Sequence, residues 1–272
     1  MKIAAWLILV FGLIAPALAN CDDRAVRIVE ERQGDEVRLL AESDQLLDYT
    51  VTLEASLQNM AASRALPVTV EVKGQKTMEL AVLRAGDPRS AHYYHYQFQW
   101  KYGVRGSVPD AKAVYLLPYS PDERHVLIQG YFGKFSHYAG SGNEYAYDWA
   151  MPVGTTVCAA REGVVVGVRQ DSDAGGPYPV FFNCANYVVI RHSDGSYAEY
   201  LHLKNGGVRV ALGATVQAGQ PIGLSGATGF TSQPHLHFAV FRLLDGMKHE
   251  TMPVAIKTKA GILPRLTQGQ IY

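Results

Sequence analysis

Two histidines separated by one residue, His235 and His237, follow the glycine-rich run Gly226-Ala227-Thr228-Gly229 and Pro234, and lead into Phe238-Ala239-Val240-Phe241. The pattern reads as a turn followed by a strand with proline at its first position. Strand side chains alternate faces at about 3.3 Å per residue, so the two imidazoles share a face roughly 6 to 7 Å apart, with Leu236, Phe238 and Val240 turned toward the core. Neutral imidazole is the commonest protein ligand for zinc, and a second imidazole at that distance can reach a metal-bound water. A lone His-x-His is more often two polar residues on an exposed strand face. Asp148 is the second candidate, a single carboxylate within the apolar run Tyr145-Ala146-Tyr147-Asp148-Trp149-Ala150-Met151. Burying an unpaired carboxylate is costly unless something positive holds it, and a metal would do so.

The elements that must position these groups read as strands. Val26/Ile28 and Val37/Leu39 alternate around Gln33-Gly34-Asp35 and suggest a hairpin, with helix as the alternative. Tyr49, Val51, Leu53, Ala55 and Leu57 alternate with polar residues, as do Val68, Val70 and Val72. Tyr94, Tyr96, Phe98, Trp100 and Tyr102 form an aromatic stripe, read as core rather than as a sugar-stacking platform. Short strands between turn residues predict an all-β chain whose residues 20–112 form an immunoglobulin-like β-sandwich. The change of motif near Ala111 to Tyr115 puts a second domain at residues 113–272. There, glycines among runs such as Val164-Val165-Val166 and Tyr187-Val188-Val189-Ile190 indicate an antiparallel sheet.

Composition limits the partners. The 272 residues, 48% hydrophobic, suffice for real cores, and 25 basic side chains balance 25 acidic ones. That balance leaves no electrostatic footprint for a nucleic acid or an anionic membrane. Met1-Lys2-Ile3, about 13 apolar residues and Ala17-Leu18-Ala19 describe a secretory leader over residues 1–19, with the mature chain starting at Asn20. A periplasmic or other envelope location follows. Lipidation of Cys21 is a rival reading, disfavoured by Asn20 where a small residue is expected, and membrane attachment depends on it. In an oxidising compartment Cys158 and Cys184, both in strand-like segments, are the expected disulfide pair, with Cys21 left over.

Five ordered motifs carry a resemblance. They are Ala146-Tyr147-Asp148 to Gly154-Thr155-Thr156-Val157, Ala159-Ala160-Arg161-Glu162-Gly163-Val164-Val165, Tyr200-Leu201-His202-Leu203, Val216-x-Ala218-Gly219-Gln220-x-Ile222-Gly223 and Pro234-His235-Leu236-His237-Phe238. Over roughly residues 116 to 250 the chain resembles the lysostaphin-like zinc metalloendopeptidases that cut peptidoglycan. The resemblance implies a zinc ion held by Asp148, His237 and a further histidine. The usual pattern places that histidine where Glu144 stands here. His137, on a longer loop that resembles a subgroup of the family, is the expected substitute, with Glu144 as the alternative. His202 and His235 match the family's non-ligand histidines, which would orient and deprotonate a water and stabilise an oxyanion.

Other histidines receive structural readings: His192 beside the turn Ser193-Asp194-Gly195, His125 and His249 are expected at the surface, as are His92 and His95. The loop from Asp171 to Pro179 is expected to rim a substrate groove. The resulting expectation is an exported zinc endopeptidase acting on peptidoglycan peptides. A catalytically inactive regulator of another wall hydrolase is the alternative, since a fold alone does not decide function.

Overall fold

The computed structural model describes residues 21, 25–244 and 248–272, so the expected leader lies outside the described residues. The described residues are almost entirely β, with one 3₁₀ helix at Pro179–Cys184. No helix among them is long and apolar enough to cross a membrane. The first strands are β1 (Arg27–Gln33), β2 (Glu36–Glu42), β3 (Asp48–Gln58), β4 (Met60–Ala62), β5 (Val68–Lys73), β6 (Thr77–Ala85) and β7 (Tyr93–Tyr102). There follow β8 (Val114–Leu116), β9 (Leu127–Gln129), β10 (Tyr147–Ala150), β11 (Thr156–Cys158), β12 (Gly163–Arg169), β13 (Gly175–Gly176), β14 (Tyr187–Arg191) and β15 (Tyr197–Leu201). The last are β16 (Thr215–Val216), β17 (Pro221–Leu224), β18 (Gly229–Phe230), β19 (His235–Leu244), β20 (Lys248–Thr251), β21 (Ala255–Thr258) and β22 (Gly261–Leu263).

The N-terminal strands form two sheets, β1-β2-β6-β4 and β5-β3-β7. β1 and β2 are the expected hairpin, Gln33 opposite Glu36, and Gly34 at φ 58° supplies the positive φ that a two-residue primed turn needs. Leu39 and Ala41 of β2, Val51 and Leu53 of β3, and Leu80 and Leu83 of β6 are buried in one apolar core. Tyr94, Tyr96, Trp100 and Tyr102 lie partly buried against it, whereas Phe98 of the same stripe is exposed.

The second half is built on an eight-stranded sheet, β16-β12-β14-β15-β19-β10-β9 with β20 added to β19. Period-two alternation divides its side chains between two environments. One face, with Trp149, Val188, Ile190, Ala198, Tyr200, Leu236, Phe238 and Val240, closes a core of its own. On the other, Val166, Tyr187, Val189, Tyr197 and Phe241 join the core of the N-terminal sheets. His235, His237 and Asp148 lie beside that apolar area, with Glu199 on the same face of β15 as Tyr197. The N-terminal sheets and the histidines therefore share one surface of one sheet.

A buried ion pair joins the halves. Asp48 at the start of β3 accepts from Arg191 of β14 at 2.6 Å, from the Tyr197 hydroxyl at 3.0 Å and from the Gly74 backbone N–H at 2.9 Å.

Cysteine pairing departs from expectation. Cys21 bonds Cys184 with a Cα–Cα separation of 5.0 Å, while Cys158 is buried and free. Cys158 sits in β11, a strand paired with β17, whereas Cys184 is buried at the end of the 3₁₀ helix.

Removing Asp48 leaves Arg191 and Tyr197 without their acceptor at the junction. Asp48→Ala is expected to lose about 3 kcal/mol of unfolding free energy in urea titrations; a loss under about 0.5 kcal/mol would show that the pair does not fasten the halves.

Candidate metal centre

Antiparallel pairing of β10 with β19 sets Asp148 opposite His237 and Ala150 opposite His235. Directly opposed residues on one face have Cβ atoms about 5 Å apart, close enough for their side chains to meet. His237 Nδ1 lies 2.8 Å from Asp148 Oδ1. His137 enters from the loop between β9 and β10, its Nε2 3.2 Å from Asp148 Oδ2. His137, Asp148 and His237 are all buried, and their ligand-type atoms lie within 4.8 Å of one another. Glu144 is outside this group, its carboxylate accepting from the Gly140 backbone N–H at 2.6 Å.

Gln129, which the sequence reading missed, holds the His137 loop. Its amide nitrogen donates to Asp148 Oδ2 and to Ser136 Oγ, each at 2.8 Å, and its oxygen accepts from the backbone N–H groups of Phe135 and Ser136. The loop wraps so tightly that a Cβ on Gly133 would stand 2.3 Å from Gln129 Cγ.

Hydrogen bonding to oxygen atoms that can only accept fixes the state of three rings. Nδ1–H donates to the Gly130 carbonyl from His137 at 3.1 Å, to the Thr228 carbonyl from His202 at 2.7 Å, and to the Gln233 carbonyl from His235 at 2.9 Å. Each ring therefore turns Nε2 toward the site. His137 Nε2 has no hydrogen-bond partner. Its lone pair and the anionic Asp148 face each other, an arrangement that calls for a cation between them. The donor set of two imidazoles and one carboxylate suits zinc with an open position.

His237 is turned the other way, with Nδ1 toward Asp148 and Nε2 3.8 Å from Glu199 Oε1. Glu199 is buried on β15, and no motif in the sequence had singled it out. Burial pulls the His237 pKa down, but Asp148, seconded by Glu199, outweighs it and pushes the value up to about 10. Asp148 is held well below the usual carboxylate range by His137 and His237 despite the opposing effect of burial. The cluster thus holds positive charge where a metal would compete with a proton.

His202 and His235 are brought together beside this group, ring centroids 4.4 Å apart. Burial lowers the pKa of both, to about 3 for His202, where the neighbouring His235 adds to the effect. They are neutral imidazoles at ambient pH. His202 also occupies the left-handed region, at φ 65°, a conformation that non-glycine residues hold only when their surroundings impose it. The segment from Asp171 to Pro179 borders the site, since β13 pairs with β18, which immediately precedes Thr231, whose hydroxyl lies 2.9 Å from His235 Nδ1.

The sequence profile of Peptidase family M23 matches residues 142–251, a stretch that contains Asp148, His202, His235 and His237. The chain carries an M23 domain. His137 precedes the matched stretch, so its place at the site rests on geometry. The chain is 44% identical over 91 residues to the peptidoglycan DD-endopeptidase ShyA of Vibrio cholerae, covering 34% of this chain and 18% of that protein. It is 33% identical over 125 residues to lysostaphin of Staphylococcus simulans, covering 45% of this chain and 23% of that protein. The chain thus spans less than a quarter of the length of these curated relatives. The solved lysostaphin catalytic domain is 27% identical, covers 47% of this chain and 87% of its own, and superposes with a TM-score of 0.34, too low to add to the sequence match.

Three histidines expected at the surface lie elsewhere. His125 is half-buried against Tyr119 and paired with Glu123, and His249 is half-buried with its ring 4.3 Å from that of Phe241. His192 is buried, packed on Tyr115, its Nδ1–H donating to the Glu162 carbonyl at 2.7 Å. A turn signal next door does not keep a strand-end residue out of the core. His92 and His95 are exposed, as expected.

Burial lowers the His192 pKa from 6.5 to about 4. Between those values the unfolded chain binds a proton that the folded chain refuses, so stability falls as pH falls through that window. The His192 contribution is expected to be about 3 kcal/mol between pH 6.5 and 4. In urea titrations His192→Asn should show a flatter pH dependence there, and an unchanged slope would exclude His192 as the cause.

Proposed function

We propose that this chain is an exported zinc metalloendopeptidase that hydrolyses peptide bonds in peptidoglycan stems or cross-bridges. The observation that carries the reading is the bare Nε2 of buried His137 facing Asp148, with His237 completing the donor set. The peptidoglycan endopeptidases among the relatives of the M23 domain supply the substrate class. In this reading residues 20–112 are the immunoglobulin-like sandwich and residues 113–272 the peptidase. The Cys21–Cys184 bond supports export, since such bonds persist in oxidising compartments. The inactive-regulator alternative has less support, because each histidine and carboxylate that a hydrolase needs has a place here.

His137, Asp148 and His237 would hold the zinc ion, which when bound supplies Lewis acidity and lowers the pKa of water. Gln129 keeps Asp148 and the His137 loop in register. His202 and His235, uncharged and anchored through Nδ1, each present an Nε2 able to accept a proton from water. Passing it on to a departing amine, and donating to an oxyanion from the protonated ring, need no reorientation, because the Nδ1 anchors fix both rings.

The direct test digests purified peptidoglycan with the mature protein, with and without a chelator, and identifies the released fragments by mass spectrometry. New peptide termini only in the absence of chelator are expected; release of sugar fragments alone would end the reading.

Metal analysis of variants separates the roles. His237→Ala is expected to lose the one zinc ion per chain expected of the wild type, whereas His235→Ala keeps zinc and loses turnover by about 100-fold or more. Full activity in the latter would remove His235 from the chemistry. His137→Ala is likewise expected to lose zinc and Glu144→Ala to keep it, and the opposite pattern would reverse the ligand choice.

A further inference from the structure

A cavity of about 420 Å³ opens where the N-terminal sheets meet the peptidase sheet. That volume falls within the usual range for ligand pockets. Trp100, Lys101 and Tyr102 of β7 line it on one side, Phe182 on another, and Glu199 and His249 are among its lining residues as well. Glu199 is the carboxylate 3.8 Å from His237, so the cavity reaches the residue that backs the candidate metal centre.

The lining has a definite chemistry. Trp100 and Tyr102 stand edge to face at 5.1 Å, and Tyr102 meets Tyr187 in the same way at 5.5 Å, which makes a braced aromatic wall. Phe182 is 61% exposed, a large apolar surface with little covering it. The charges do not cancel. Arg169 is engaged by Asp171 and by the Asn183 carbonyl. Among the described residues no carboxylate pairs with Lys101, whose charge is therefore available to a ligand.

We propose that β7 of the N-terminal sheets forms one wall of the substrate groove, where Lys101, which lines the same cavity as Trp100 and Tyr102, binds a free carboxylate on the peptide. This deepens the hydrolase reading and rests on it for the identity of the peptide. An aromatic wall accepts aliphatic side chains and an extended backbone, and the ammonium group selects the acid over its amide. The N-terminal sheets thereby become a determinant of specificity.

The test measures binding by calorimetry to the zinc-loaded, full-length His235→Ala protein, in which turnover is suppressed. The probes are a peptidoglycan tetrapeptide with all carboxylates free, the same peptide amidated at its C-terminus, and the same peptide amidated on its side-chain carboxylate. The free acid is expected to bind at least tenfold more tightly than one of the two amides, and which amide fails identifies the carboxylate read. Adding Lys101→Glu should abolish that preference, Lys101→Gln should reduce it, and Trp100→Ala should weaken all three probes. Equal binding of the three peptides, binding of none, or a preference that survives Lys101→Glu overturns the proposal. Parallel digestion by the wild type keeps the two readings apart: discrimination without hydrolysis leaves the subsite and sinks the hydrolase, and hydrolysis without discrimination does the reverse.

Discussion

The charge of Asp148, carried into the interior on a strand whose neighbours are Tyr147 and Trp149, is the constraint around which the site is arranged. A carboxylate taken out of water costs several kcal/mol unless opposite charge and hydrogen bonds replace its hydration. Three elements bring replacements: β19 supplies His237, the loop before β10 supplies His137, and β9 supplies Gln129. Each is fastened in turn, His137 by the Gly130 carbonyl and Gln129 by two backbone N–H groups of the His137 loop. Outer contacts of this kind are what orient the ligands wherever a metal is bound.

What the sequence disclosed depended on whether the signal was local. Period-two alternation settles which way His235 and His237 point relative to Leu236 and Phe238, because a one-residue slip would reverse every side chain. The β1–β2 hairpin was legible for a similar reason, since its turn lies between its strands. Glu199 was not legible, because Tyr197–Leu201 is almost wholly buried on both faces and its polarity pattern does not separate a site residue from a structural one. The partner of Cys184 and the burial of His192 were equally hidden, since both depend on chain segments remote in sequence. His137 was found through resemblance, and only the folded loop shows why it reaches Asp148 when Glu144 does not.

The four histidines of the site differ in state because their hydrogen bonds differ. Three use Nδ1 to grip a carbonyl and turn Nε2 toward the site, while His237 meets the Asp148 carboxylate through Nδ1 and has Glu199 3.8 Å from its Nε2. One residue type therefore provides groups suited to holding a cation and groups suited to moving a proton. The separation of these duties lies in the backbone around them, including the left-handed turn at His202.

The shared surface of the large sheet has a consequence for how the chain could be divided. Val166, Val189, Tyr197 and Phe241 belong by sequence to the second half of the chain but are buried in the core of the N-terminal sheets. A fragment beginning near residue 113 would bare this greasy strip next to the imidazoles of the candidate site, inviting self-association there. The junction is thus less a hinge between independent modules than a seam, and evolution could discard the first half only by repainting the second with polar residues.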